Sequence, residues 1–382
     1  MSCPFPFYFS AFITIQFIAM KRLVLFLLVS LYLLPTQIHG QGCMEATGDE
    51  RVNVIGYIQA EGNYKFLGED FLGNNLNTSS FYFNRVRLGA MGTIPYDFSY
   101  YFISEFSPTL GGPFVLDAFV TYKRFAPYVN ISVGQFKSPF GLELLTPCHK
   151  LHTINRSLAV TDLVNPFRDQ GLLLFGGTGD LHLFGSKTKN LFGYHLAVLN
   201  GTGINKKDDN NKKDVVGRLT FHPFEFLTIG SSYRFGKQPP KVDGVTEDDE
   251  RSRMGLDIEF KYKGILLQGE IVKGTDKGSY TTGGGCGGQV EVHQGSVNRE
   301  GFFAQAAYMT PWKIQPVVRF EMYEPNMSKD FTDDIQNIIT YGVNYFFNDR
   351  TRLQINYLYK AEESARAEVP NDEILMQVQI EF

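Results

Sequence analysis

Beyond residue 34 the chain has no apolar run approaching the roughly 20 residues that a membrane-spanning helix needs, and no sustained 3.6-residue apolar pattern. With a mean hydropathy of −0.15, it is too polar for a bundle of membrane helices. Cysteine is scarce and scattered, at Cys3, Cys43, Cys148 and Cys286. No CxxC or zinc-type spacing occurs, and once Cys3 leaves with a leader the odd count argues against a disulfide framework. Charge of one sign is also lacking. A net charge of −4 provides no broad basic field, so bulk nucleic-acid binding is not indicated. Of the histidines, His182, His195, His222 and His293 are dispersed, with no serine nucleophile motif beside them. The glycine-rich stretch from Thr281 to Gly288 lacks the Gly-Lys-Ser/Thr ending that cradles phosphate, and Lys206 to Asp214 lacks EF-hand spacing. These gaps leave no catalytic residues, metal site or cofactor to assign. A metal ligand set at His149, His152 and Cys148 is the weaker alternative to ordinary loop histidines.

What is present begins with targeting information. Met20-Lys21-Arg22 precedes the apolar run Leu23 to Pro35, and a polar exit ends near Gly40. A basic n-region, a short apolar core and a small residue at the end describe a secretory signal peptide. Residues 1–40 are therefore read as an N-terminal extension plus signal peptide, with translation starting at Met20 and cleavage near Gly40. An anchor helix is the rival reading, and its apolar run is too short. A lipoprotein anchor at Cys43 is a poorer fit, because Gly40-Gln41-Gly42 does not resemble a lipobox.

Residues 41–382 read as one domain built on period-2 alternation. Ile374, Met376, Val378, Ile380 and Phe382 alternate with Leu375, Gln377, Gln379 and Glu381. The same pattern runs through Leu353 to Tyr359, Ile339 to Phe347 and Met254 to Tyr262. Successive side chains of a strand point to opposite faces, so each segment has one apolar and one polar face. Tyr and Phe gather at segment ends, as in Tyr345-Phe346-Phe347, where an interfacial aromatic girdle would put them.

Seven short turns are expected near 95–97, 126–128, 187–190, 222–224, 262–264, 310–313 and 348–350. They alternate with eight longer polar loops at about 67–79, 106–113, 138–169, 200–213, 237–251, 274–300, 324–335 and 360–371. Such segregation of connection length predicts an all-β fold. It is a transmembrane antiparallel β-barrel of about 16 strands, with long outer loops and short periplasmic turns. Strand six, roughly Gln170 to Ser186, is the least regular, since Gly176 to Gly179 could itself turn.

The stretch Tyr128 to Pro147, YVNISVGQFKSPFGLELLTP, resembles the phosphate-selective porin O and P family. Asn84 to Gly89 (NRVRLG), Asn200-Gly201-Thr202-Gly203 and Tyr341 to Phe347 with Arg352-Leu353-Gln354 agree with it. The resemblance implies a sixteen-stranded outer-membrane porin, usually a homotrimer, with its third loop folded inward as the constriction. Phe382 resembles the aromatic ending by which outer-membrane barrels are recognised by the barrel assembly machinery. Outer-membrane lipid and lipopolysaccharide are then its surroundings.

Selectivity in such a pore comes from charges at its narrowest point. The third loop, Ser138 to Asp169, is long enough to fold inside. Arg85 and Arg87 are two apart and share a face; Val86 and Leu88 take the other. A charge facing lipid at mid-depth costs about 2–4 kcal/mol, so the arginines are expected in the lumen. Arg85, Arg87, Lys137, Arg156 and Arg168 are the expected anion-attracting set, with small anionic solutes such as phosphate as partners. The competing reading is that these residues only hold the inner loop in place. No ladder of arginines down one wall is evident, which leaves a non-selective general porin open. An outer-membrane barrel enzyme of the lipase type is the remaining alternative.

Overall fold

The structure is a computed structural model. It describes residues 52–382 apart from 71, 96, 184–185, 241, 243–244, 284–289, 328–334 and 362–368. The expected leader, Cys3, Cys43, Cys286 and most of the glycine-rich stretch lie outside the described residues.

Alternating apolar and polar side chains make strands, and these strands pair in sequence order. In chain order they are β1 (Asn53–Lys65), β2 (Thr78–Ile94), β3 (Phe98–Glu105), β4 (Phe114–Phe125), β5 (Val129–Lys137), β6 (Arg168–Gly177), β7 (Asp180–Leu183), β8 (Ser186–Lys189) and β9 (Phe192–Leu199). There follow β10 (Asp214–Phe224), β11 (Leu227–Gln238), β12 (Asp249–Tyr262), β13 (Ile265–Gly283), β14 (Val290–Tyr308), β15 (Ile314–Glu324), β16 (Gln336–Phe346), β17 (Thr351–Ala361) and β18 (Glu373–Glu381). Sixteen of these form one closed antiparallel barrel, with β7 and β8 making a separate two-stranded hairpin. The barrel closes where β1 pairs with β18, from Tyr57 opposite Glu381 to Lys65 opposite Glu373. Gly56 and Phe382 exchange two backbone hydrogen bonds of 3.0 Å at the end of that seam. Closure leaves no sheet edge, which makes a strand architecture tolerable in hydrocarbon.

The two faces separate as the alternation requires. On β18, Ile380 is 50% exposed and its neighbour Gln379 is 3% exposed. Met254, Leu256 and Ile258 of β12 face outward, while Arg253 and Asp257 are buried within. Aromatic side chains stack near the short turns: Phe192 on Phe221 at 5.0 Å, Phe224 on Phe226 at 5.1 Å, and Tyr345 against Phe347 at 4.8 Å. They form the amphipathic belt expected at a membrane interface.

Three local departures have physical causes. β2 changes parity at Asn84: Phe81 and Phe83 face outward before it, and Leu88 after it. The register shifts there, Gln59 opposing Arg85 and Ala60 opposing Phe83, so Asn84 is the extra residue of a bulge. The expected turn at 187–190 is not a short one. β6 ends at Gly177 and β9 begins at Phe192, with the β7–β8 hairpin between them. Residues 274–283 and 290–300, expected as loop, are strand instead, because β13 and β14 stay paired from Ile265–Tyr308 out to Gly283–Val290.

The segment between β5 and β6 folds into the barrel. It contains the short helices α1 (Leu142–Leu145) and α2 (Leu158–Leu163) and a 3-10 turn at Cys148–Lys150. Phe140, Leu144, Val160, Leu163 and Val164 pack with Leu173, Leu199, Val216, Val272 and Phe303 of the wall into one apolar cluster. Part of the lumen is therefore filled by a core like that of a soluble domain.

Candidate functional site: the inner loop and its cationic lining

The inner loop is held by polar side chains from much of the wall. Glu270 of β13 accepts at Oε2 from the Leu142 and Glu143 N–H groups, at 3.0 and 2.8 Å, and so anchors the start of α1. Glu143 accepts at Oε2 from the Ser157 N–H and Oγ–H, both at 2.8 Å, and at Oε1 from Arg319 at 3.2 Å. Arg234 and Arg253 donate to the carbonyls of Val164, Pro166 and Leu163. Arg352 donates to Leu151 O at 2.8 Å, and Asn344 Nδ2 to His152 O at 2.8 Å. Side-chain amides continue the support across strands: Gln59 with Gln379, Gln377 with Gln354, Gln354 with Asn344, and Asn344 with Gln315. Charge-assisted bonds buried to this degree are strong and geometrically specific.

Gly141 fixes the entry to α1. Its φ is +64°, and a Cβ there would lie 1.9 Å from Glu270 Oε1. Gly141→Ala therefore adds backbone strain of about 1–3 kcal/mol and displaces the Glu270 anchor. The expected outcome is a lower temperature for loss of the folded band in a heat-modifiable gel assay. A transition unchanged from the parent would show that the anchor contributes nothing.

The five sequence-predicted cations meet on the opposite side of the loop. Arg87 donates from Nε to Glu105 at 2.7 Å, and from Nη1 to the Tyr57 hydroxyl at 2.6 Å and Cys148 Sγ at 3.5 Å. Arg168 forms a two-pronged pair with Asp117, at 2.9 and 3.1 Å. Lys137, directly opposite Arg168 in the β5–β6 register, points its Nζ at the carbonyls of Leu144, Leu145 and Thr146. Arg156 donates to the carbonyls of Glu143, Leu144 and Thr146, and to Cys148 Sγ at 3.2 Å. Arg85 donates to Gln59 Oε1 at 2.9 Å and reaches Asn155 Oδ1 at 3.5 Å.

Two carboxylates, Glu105 and Asp117, pair with members of this set. Arg85, Lys137 and Arg156 have no carboxylate partner among the described residues. Three of the five, Arg87, Lys137 and Arg168, line a cavity of about 340 Å³ together with Tyr57, Cys148 and His149. Asn53, Arg350 and Phe382 also line it, which places it on the short-turn side of the inner loop.

The sequence reading missed the clamp formed by Arg218, Arg234, Arg251, Arg253, Arg319 and Arg352. Its signal was present: Arg234 lies between exposed Tyr233 and Phe235, and Arg319 between exposed Val318 and Phe320. These residues are committed elsewhere, Arg218 to Asp257, Arg234 and Arg251 to Asp214, Arg319 to Glu143. His149, His152 and Cys148 do not converge on one point, since His152 Nδ1 lies 3.2 Å from Gln315 Oε1. Burial lowers both imidazoles to about 4, so they are neutral near pH 7 and add no charge to the cationic set.

The sequence profile of the family described as "Phosphate-selective porin O and P" matches residues 61–382. The chain belongs to that family. The porin is an outer-membrane protein whose sixteen strands span the bilayer. No curated protein sequence matches it. Solved structures share its fold. An anion-selective porin from Comamonas acidovorans superposes with a TM-score of 0.60 at 13% identity, covering 87% of this chain and 99% of that one. OmpT of Vibrio cholerae in its trimer form gives 0.56 at 12%, covering 87% and 99%. A Salmonella typhi OmpF complex with daunomycin gives 0.54 at 12%, covering 90% and 99%.

Proposed function

We propose that the porin passes small anionic solutes by passive diffusion, drawn by Arg85, Arg87, Lys137, Arg156 and Arg168, and that it catalyses no reaction. The observation that carries this reading is the charge imbalance at the inner loop. Five cations there face two paired carboxylates, in a low-dielectric wall where screening is weak. Part of the set also supports the loop: Lys137 and Arg156 donate to carbonyls of α1 and of Thr146, which follows it. These contacts support the loop-holding role for both, and attraction of solute is the part that the proposal adds.

Anions in general, rather than phosphate specifically, fit the lining better. The other lumen arginines are spent on Asp214, Asp257, Glu143 and loop carbonyls, so they form no free ladder. The Comamonas porin, anion-selective by its description, and the phosphate-selective family description point the same way. A homotrimer in lipid and lipopolysaccharide suits the exposed apolar face, and the trimer form of the Vibrio protein supports it. Residues 41–382 act as the single barrel domain after the leader is removed, and Phe382 at the seam serves recognition by the assembly machinery.

Reconstitution into planar bilayers under a salt gradient tests the reading. The reversal potential is expected to have the sign of anion current. Current carried mainly by cations would refute it while leaving the barrel intact. Hydrolysis of labelled phospholipid by the purified porin would overturn the non-enzymatic part.

A further inference from the structure

One group beside the cation cluster has no role in solute passage. Cys148 is 4% exposed, and its sulfur lies 3.2 Å from Arg156 Nη1 and 3.5 Å from Arg87 Nη1. Among the described residues it is the only cysteine, so no disulfide partner is at hand. Its open side is the cavity of about 340 Å³ on the short-turn side, roughly ten times the share of volume of one water in the liquid. The next residue, His149, lines the same cavity and is 6% exposed; its Nε2 lies 3.7 Å from Glu381 Oε1, beyond hydrogen-bond distance, and its Nδ1 has no hydrogen-bond partner. A buried imidazole nitrogen left unsatisfied is costly unless a small polar molecule visits it.

We propose that Cys148 is a modification site, oxidised to a sulfenate by small hydroperoxides that enter the cavity beside His149. The geometry supplies each requirement. Two guanidiniums hold the sulfur as a thiolate, the nucleophilic form. The cavity admits a molecule the size of hydrogen peroxide. Bulky thiols and disulfides are kept from a sulfur this buried. The neutral His149 ring can donate one N–H to the departing oxygen. In the reaction the thiolate attacks one peroxide oxygen and forms an S–O bond as the O–O bond breaks. The proton on the attacked oxygen passes to the leaving hydroxide, giving a sulfenate and water. Sulfur loses two electrons and the peroxide gains them, and the product keeps its single negative charge between Arg87 and Arg156.

The titration of Cys148 agrees. Burial alone would raise the thiol; Arg156, Arg87, Arg85 and Lys137 override it and hold the pKa well below the usual range. A depressed pKa means that the thiolate persists as pH falls from 8 to 6. The test treats the folded full chain in detergent with hydrogen peroxide, removes the peroxide with catalase, unfolds the chain in urea with dimedone, and follows the adduct on the Cys148 peptide by mass spectrometry. At pH 7 labelling is expected about tenfold faster than for free cysteine, whose thiolate fraction there is about a few per cent. Its rate should stay nearly level between pH 8 and pH 6. Arg156→Gln is expected to slow labelling and restore an ordinary thiol's pH dependence, while Arg156→Lys preserves the fast reaction. The proposal is overturned if the parent treated with peroxide while folded forms no Cys148 adduct that the chain treated with peroxide in urea forms, or if its rate drops about tenfold per pH unit below 8.

Discussion

Arg85→Glu lowers the anion preference of the porin in planar bilayers. The lining supplies the arithmetic. The cations outnumber the paired carboxylates Glu105 and Asp117, and replacing Arg85 by an anion lowers the local charge by two. Arg85 is the suitable position because amide oxygens, Gln59 Oε1 and Asn155 Oδ1, are its partners. The nearby buried carboxyl of Glu61 keeps its hydrogen bonds from Tyr82 and Asn84, so the barrel should fold. Arg87→Glu would confound the measurement by placing a new charge against Glu105, 2.7 Å from the present Nε. In a tenfold salt gradient the reversal potential of Arg85→Glu is expected well below the parent's, on a scale where an ideally selective pore reads about 59 mV per tenfold ratio for one charge. Full retention of the parent's anion preference would remove Arg85 from the solute path and leave the cluster a structural device.

The second large effect comes from Glu143. Its carboxylate joins the two ends of the inner loop to the wall through Ser157 and Arg319. Glu143→Ala leaves buried Arg319 with Glu321, at 3.5 Å, as its one carboxylate among the described residues, beside Thr153 Oγ1 and Asn155 O. Breaking a buried pair in this way costs about 3–5 kcal/mol. The loop is the part of the lumen that such a loss would free, because the strands keep their own ladder of backbone bonds. Single-channel conductance is therefore expected to rise several-fold, with the folded band in heat-modifiable gels lost at lower temperature. A variant with parental conductance and parental thermal transition would show that α1 and α2 are held by their apolar packing alone.

The strand number and the facing of the strands were legible because the alternation is long and regular. Met254 to Tyr262 and Ile374 to Phe382 each state their lipid face residue by residue. The arginine pair on β2 was legible for the same reason. The parity change at Asn84 was not, since a bulge inserts one residue without any compositional mark. Leu199, Val216 and Val272 were not legible, for a different reason. They are apolar but face inward, because the folded-in loop offers them Leu144, Val160 and Leu163. In an ordinary barrel polar side chains line the lumen, so alternation alone assigns apolar residues to lipid. The cation set was visible as residue types, but its charge balance was not. Whether Arg168 is free or spent depends on Asp117, 51 residues away in the chain and adjacent only after the barrel closes.

The apolar cluster inside the barrel determines where a solute can travel. It occupies the lumen beside β5, β6, β9, β10 and β13 to β15, and the amide contacts occupy the side of β15 to β18. On the proposed function, the solute's way lies off the central axis, at the cavity lined by Tyr57, Arg87, Asp117, Lys137 and Arg168. A molecule there passes Arg87, Lys137 and Arg168 at close range, so an elongated solute with its negative group at one end should cross with a preferred orientation rather than tumbling freely.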